Sequence, residues 1–319
     1  MNPIHHSVIT ITYNQEQTIR ETIESVLSQS VKPWEYIIVD DASQDKTWEI
    51  ISDYQKRFPT LIKAFRNPQN KGIFRNFNDT LKLPNGDFIN YVSGDDLLPA
   101  DILAKYENFI LENRLDTKNS FCIFSNSIIL SDNSHHLIKD NKPNFSSDKN
   151  KLIENILLQS LYSWDTGLSK GLIKRCQQLG GIRTDIGYQA DAIWNVDKVI
   201  LSDKVYFIDS PGYIYRQGVG VTVSTEVAQH YLSRQKVYGI LENEYNQYLS
   251  HKTKAFMKVD LSSLKYFCSP NLSNYFRFIS DYFSFTSQYK FKDGYSLKKG
   301  YSFLIPISIK AVLKRLLKK

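Results

Sequence analysis

The stretch "SVITITYNQEQTIRETIESVLSQSVKPWEYIIVDDASQDKT" (7–47) decides the fold. It opens on a β-branched run (7–13), passes through 15–30 with Ile19, Ile23, Val26 and Leu27 at i, i+4, i+7 and i+8, and returns to an apolar run at 36–41. The outer runs read as strands and the middle as a helix packed on one face. Ser43 then suits an N-cap and Asp45 the first turn of a second helix over 43–58, where a carboxylate complements the helix dipole. "LIKAF" (61–65), a helix over 73–83, "DFINYV" (87–92) and a helix over 99–113 extend the order to βαβαβαβα. Strands this apolar, separated by helices, predict a mostly parallel α/β sheet covered on both faces, with ligands at the carboxyl ends of the strands.

Asp40, Asp41, Asp95 and Asp96 all fall at such ends. In "SGDDLLP" (93–99) two adjacent carboxylates follow a buried strand, where they repel each other and lose hydration unless a cation joins them to a ligand. A divalent cation fits; capping of the next helix by Asp95 is the alternative for one of the pair.

Composition narrows the classes. The chain of 319 residues is 42% hydrophobic and 13% aromatic, enough for one large core with an appendage. Cys122, Cys176 and Cys268 form no C-x-x-C pair, so neither a disulfide framework nor a zinc site is expected. The start "MNPIHHSVIT" lacks a leader pattern and no run of eighteen apolar residues occurs, so a cytoplasmic protein is expected. The net charge of +7 equals the seven basic residues of 298–319, a segment without acid, which speaks against a nucleic-acid-binding body. Within the tail (about 302–319), Ile309, Val312, Leu313, Leu316 and Leu317 fall on one helical face, and Lys310, Lys314, Arg315 and Lys318 on the other. That pattern suits an anionic membrane surface; docking on the protein's own surface is the alternative.

"SVITITYNQEQTIRETIESVLSQSVKPWEYIIVDDASQDKT" resembles the amino-terminal signature of family 2 glycosyltransferases, the large inverting group with the A-type nucleotide-sugar-binding fold. "NKGIFRNFNDTLKLPNGDFINYVSGDDLLP" (70–99) resembles that family's N-x-G-x-x-x-x-R-N stretch and its D-x-D region, and "GYQADAIWNVDKVI" (187–200) its E-D-x-x-L-W segment. Several motifs in register tell more than any one. The resemblance implies that Thr12, Tyr13, Asn14, Asp41, Arg75, Asp95 and Arg216 bind the nucleotide sugar, a UDP-sugar first among candidates. It also implies that Asp95 and Asp96 hold Mn²⁺ or Mg²⁺ and that Asp191 is the catalytic base. Chemically, Tyr13 offers an aromatic face to a base, Asp41 an acceptor to a base N–H or ribose hydroxyl, and Arg75 and Arg216 donors to phosphate.

The chain departs from the family at three places: Ser93 where an aspartate is usual, Ala190 where a glutamate is, and Gln217 with Gly218 where many relatives have a histidine. The first moves the ribose contact to Asp95 and leaves Asp96 for the metal; the last removes the loop at 213–224 as a source of metal ligand. The expected organisation is an A-type catalytic domain over 1–223 and a helical carboxyl-terminal extension over 224–319. The expected activity is transfer of one sugar to a hydroxyl of a glycan acceptor, carried on a polyprenyl diphosphate at the inner face of a bacterial membrane, in capsule, O-antigen or exopolysaccharide synthesis. The rival readings are a non-catalytic nucleotide-sugar or glycan-binding module, motivated by Ala190 and the missing histidine, and a nucleotidyltransferase, whose glycine-rich first loop "TYNQEQT" does not supply.

Overall fold

The computed structural model describes residues 3–131, 134–139, 145–162, 172–174, 181–187, 190–218 and 227–288. The chain divides into two compact units: Met1–Phe145, Trp164–Asp185 and Ala190–Ser224 form one, and Ser146–Ser163, Ile186–Gln189 and Thr225–Lys319 the other. The helical unit therefore draws on two segments from inside the span expected for the catalytic domain, not on the carboxyl-terminal part alone.

In the first unit, strands β1 (His6–Thr12), β2 (Glu35–Asp40), β3 (Ile62–Arg66) and β4 (Phe88–Tyr91) alternate with helices α1 (Ile19–Leu27), α2 (Thr47–Arg57), α3 (Ile73–Thr80) and α4 (Ile102–Glu112). The four strands lie in the order β3-β2-β1-β4 and all pair in parallel. Residues that alternate along a strand enter opposite layers. Val8, Tyr36, Ile38 and Phe88 pack with Ile19, Ile23 and Val26 of α1, Ile51 and Tyr54 of α2 and Ile102 and Tyr106 of α4. Ile9, Ile11, Ile37, Val39 and Ile89 pack with Phe77 of α3 and with Trp194, carried by a helix α6 (Ala190–Leu201). Both faces are covered, as apolar parallel strands require.

Beyond β4 the sheet turns antiparallel. β4 meets β7 (Leu172–Lys174), which pairs antiparallel with β5 (Phe121–Ser131); β5 also pairs antiparallel with β6 (Ser134–Lys139) and in parallel with β8 (Lys204–Arg216). β8 is one strand of 13 residues. Its register against β5 jumps from Ser125↔Ile208 to Asn126↔Pro211 and then to Ser127↔Tyr213. Proline has no N–H for a ladder bond, so it sits at this bulge. Asn126 Nδ2 donates to Asp209 Oδ1 (2.8 Å) beside it.

The second unit is helical: α5 (Lys149–Tyr162), α7 (Val227–Glu244), α8 (His251–Cys268) and α9 (Leu272–Gln288). Ser250 caps α8 by accepting from the Thr253 N–H (3.1 Å). Val259 of α8 packs with Phe278 and Phe285 of α9. Among the described residues no helix is long and apolar enough to cross a membrane. The tail helix expected over 302–319 and residues 219–226 lie outside the described residues.

Candidate active site

The loops leaving β1, β2 and β4 are tied into one floor by backbone and side-chain hydrogen bonds. Asp41 N–H donates to the Thr12 carbonyl (2.9 Å) and Gly94 N–H to the Ile11 carbonyl (3.1 Å). Asn14, in the left-handed region at φ 51°, donates its N–H to Ser43 Oγ (2.9 Å) and accepts from the Gln44 N–H at Oδ1 (2.8 Å). Glu16 N–H donates to Asp45 Oδ2 (3.0 Å) while Glu16 Oε2 accepts from Lys46 N–H (2.9 Å). These contacts occupy residues 43–46, so α2 starts at Thr47 and not at the Ser43 cap the sequence suggested. The Ser43 hydroxyl donates to Asp40 Oδ1 instead. Burial pushes the Asp40 carboxyl up, against Ser43 and Arg66, which favour its charge. Its contacts are with these two residues (Arg66 Nε to Oδ2, 3.2 Å), which makes Asp40 part of the scaffold.

Asp41 is 2% exposed. Its carboxylate accepts from Asn67 Nδ2 (2.7 Å) and from the N–H groups of Lys71 (3.0 Å to Oδ1) and Gly72 (2.9 Å). Gly72, at φ 81°, precedes α3, so Asp41 satisfies N–H groups at the start of that helix. Arg75, in the first turn of α3, is exposed and makes no hydrogen bond or ion pair among the described residues. Tyr13 is 44% exposed, so its ring is not committed to the core. Thr12 is buried, with Oγ1 donating to Gln15 Oε1 (2.6 Å).

The "SGDD" loop is held from beneath by α1. Thr18 Oγ1 donates to the Gly94 carbonyl (3.0 Å), and Thr22 Oγ1 is shared between the carbonyls of Gly94 (3.0 Å) and Asp96 (2.8 Å). A Cβ on Gly94 would stand 2.7 Å from Thr12 Oγ1 and 2.8 Å from Thr12 Cβ, and closer still to Gln15 Oε1, so only glycine fits. The two carboxylates then part company. Asp96, 2% exposed, accepts from the buried Tyr213 hydroxyl at one oxygen and from the Arg216 N–H at the other (2.9 Å). Asp95 is half-buried, and its carboxylate has no hydrogen-bond or ion-pair partner among the described residues. The sequence left Asp96 for a cation; here both Asp96 oxygens accept from protein groups, and the carboxylate without such partners among the described residues is that of Asp95.

Arg216 ends β8 and closes the loop. Its Nε donates to the Asp95 carbonyl (3.0 Å) and its Nη2 to Glu21 Oε2 (2.5 Å). The guanidinium thus fixes Asp95 from behind. Among the described residues no three histidine, cysteine or acidic side chains gather as a cation site. One open carboxylate still suits Mg²⁺ or Mn²⁺, which are held through one or two carboxylates together with substrate phosphates and water.

Asp191 lies in the first turn of α6. Three residues on, Trp194 meets Phe77 edge-on (centroids 5.2 Å, 87°), and Phe77 in turn meets Tyr91 at the end of β4 (4.8 Å, 75°). This aromatic stack ties α6 to the floor. One residue here escaped the sequence reading. Lys198, seven positions after Asp191, is 1% exposed with Nζ 4.3 Å from the Trp194 ring centroid. Burial pushes its ammonium down to about 7, while Cys122 and Asp191 pull the other way. A lysine inside an otherwise apolar helix stripe was the available signal.

Residues 7–160 match the model of Glycosyl transferase family 2. The match covers just under half of the chain. Its curated relatives include the putative glycosyltransferase EpsE of Bacillus subtilis, 42% identical over 108 residues, which are 34% of this chain and 39% of that protein. The putative teichuronic acid biosynthesis glycosyltransferase TuaG of the same organism is 37% identical over 106 residues, 33% of this chain and 42% of that one. The alignments thus span less than half of either relative. In three dimensions, S. aureus TarS 1-349 in complex with UDP-GlcNAc superposes at a TM-score of 0.60 and 18% identity, over 89% of this chain and 81% of that one. The chain thus shares the A-type fold of that structure, continued by helices.

Proposed function

We propose that the protein is an inverting glycosyltransferase that moves one sugar from a nucleoside-diphosphate sugar to a hydroxyl of a glycan acceptor in bacterial surface-polysaccharide synthesis. The observation that carries this reading is the division of labour on the floor. Buried groups (Thr12, Asp40, Asp41, Asp96) are bonded to protein, whereas Tyr13, Arg75 and Asp95 present an aromatic face, a guanidinium and a carboxylate without such partners. These are the groups a flat base, a diphosphate and its counter-cation require. The match of residues 7–160 to family 2, and the likeness to a fold solved with UDP-GlcNAc, support a nucleotide sugar with UDP first among carriers. The relationship to TuaG supports a cell-surface polymer as destination.

In this reading Tyr13 stacks on the base and Asn14 lines its edge. Asp41 acts through the turn at 67–72 that presents Arg75 to the phosphates. Asp95 holds Mg²⁺ or Mn²⁺, which when bound neutralises the charge developing on the departing diphosphate. Arg216 and Asp96 keep Asp95 in place. Asp191 takes the proton of the acceptor hydroxyl as it attacks the face opposite the nucleotide. Lys198, on the same helix and within the field of Asp191, favours the carboxylate form that a base needs. The basic tail over 302–319 brings the enzyme to an anionic inner leaflet where a polyprenyl-diphosphate-linked acceptor resides.

The test is donor turnover with Mn²⁺ across a panel of UDP-, GDP- and dTDP-sugars, with and without lipid-linked acceptor extracts, for wild type and Asp191→Asn. Transfer or hydrolysis by wild type that the variant loses supports the reading. Saturable donor binding without turnover under all conditions would favour the binding module.

A further inference from the structure

α9 carries apolar residues on two sides. Phe278 and Phe285 point to α8 and are buried with Val259, and Asp281, 8% exposed, is paired with Lys258 (3.0 Å). Leu272, Phe276 and Phe283 lie elsewhere: at 100° per residue they fall within about 40° of one another. Their exposure is 75%, 64% and 64%. Two phenylalanines and a leucine in one exposed line on a single helix form a contiguous apolar patch, unlike isolated surface apolar residues, which need no explanation. The other exposed positions of α9 carry Arg277, serines and Gln288, with no acid among them.

The sequence that follows selects the partner. Residues 289–319 carry nine basic side chains and one acidic. A second copy seated on α9 would bring that positive charge against its like, which opposes association. An anionic lipid surface takes both parts: apolar side chains enter the headgroup and acyl boundary while the basic residues meet the headgroups. Tyr275 and Tyr282, half-buried beside the stripe, are of the type enriched at that boundary.

We propose that the Leu272, Phe276 and Phe283 face of α9 is a lipid-contact surface that inserts into the boundary of an anionic membrane. It extends the reading of the tail as a membrane contact and locates a second, apolar contact in a folded helix. The two contacts differ in salt dependence, since apolar insertion is not screened and headgroup attraction is.

The experiment uses the full chain and vesicles of phosphatidylcholine alone or with phosphatidylglycerol. Phe276→Ser/Phe283→Ser should lower the partition coefficient at least tenfold on mixed vesicles at both low and high salt, with an unchanged thermal midpoint. Phe276→Trp should gain emission that shifts to the blue on vesicles and is quenched by brominated acyl chains. Unchanged partitioning of the double serine variant, or emission from Phe276→Trp that is indifferent to vesicles, overturns the proposal. So does light scattering that shows a wild-type dimer and a monomeric double variant. Lys314→Gln/Arg315→Gln/Lys318→Gln/Lys319→Gln separates the two readings. If it leaves binding intact while the phenylalanine variant loses it, the tail reading fails and the α9 face stands; the reverse pattern rejects the α9 face alone.

Discussion

Asparagine at position 96 and asparagine at position 95 should produce opposite phenotypes, although the two residues are neighbours. The Asp96 carboxylate is 2% exposed and accepts from the Tyr213 hydroxyl and, at 2.9 Å, from the Arg216 N–H. An asparagine keeps one acceptor and must turn an NH₂ toward a group that donates. A hydrogen bond to a charged group contributes about 1.5–3 kcal/mol, and a buried donor left unpaired costs a similar amount. Asp96→Asn should therefore lower stability by about 1.5–3 kcal/mol, and at about 2–4 °C per kcal/mol for a unit of this size the midpoint should fall by roughly 3–12 °C. Asp95→Asn breaks no contact among the described residues, so its midpoint should move by no more than about the 0.5 kcal/mol equivalent of a surface change. Thermal unfolding by circular dichroism, paired with calorimetric titration of UDP-GlcNAc in the presence and absence of Mn²⁺, reads both quantities. Asp95→Asn should lose the Mn²⁺-dependent part of donor binding while melting as wild type does. If Asp96→Asn melts normally and loses Mn²⁺-dependent binding while Asp95→Asn does neither, the assignment of the open oxygens to Asp95 is wrong.

Gly94→Ala pushes a methyl against Thr12 and Gln15, and overpacking of this kind costs about 1–3 kcal/mol; a thermal midpoint equal to wild type would contradict the close approach. For the proposed base, Asp191→Asn should cut turnover by about 10²–10⁴-fold, the usual worth of a general base, while the donor Kd from titration stays within about twofold. Acid should act through His6, which burial pushes down to about 4 from 6.5, against a smaller upward pull from Asp87 and with a smaller downward one from His5. Because its folded pKa lies below its unfolded one, its stabilising effect is complete above pH 6.5 and declines as pH falls toward 4, at up to about 1.4 kcal/mol per pH unit. Urea titrations at pH 7 and pH 5 should show that decline in wild type and a shallower one in His6→Gln.

The parallel half of the sheet was legible because its signals are local. Ile19, Ile23 and Val26 are spaced for one helical face, and all three are fully buried on it. The antiparallel half was not. β7 has three residues, too few for any periodicity, and exists through its pairing with β4 and β5, far away in sequence. At the site, residue types were read correctly as polar groups at strand ends, but their duties depend on partners across tens of residues. Ser43 looked like a cap until Asp40 and Asn14 were found to hold it. Asp95 and Asp96 could be told apart only by Tyr213 and Arg216, more than a hundred residues downstream.

The threonine clamps of α1 bear on how donor preference can change. Since Thr18 and Thr22 grip the carbonyls of Gly94 and Asp96 while Gly94 leaves no room above Thr12, the floor tolerates little variation without unfolding. Tyr13 and Arg75, outside that lattice, can vary at small structural cost. A library randomised at these two positions should remain folded in most members and sample new bases and sugars, whereas one randomised at residues 12, 94 and 96 should be dominated by insoluble protein.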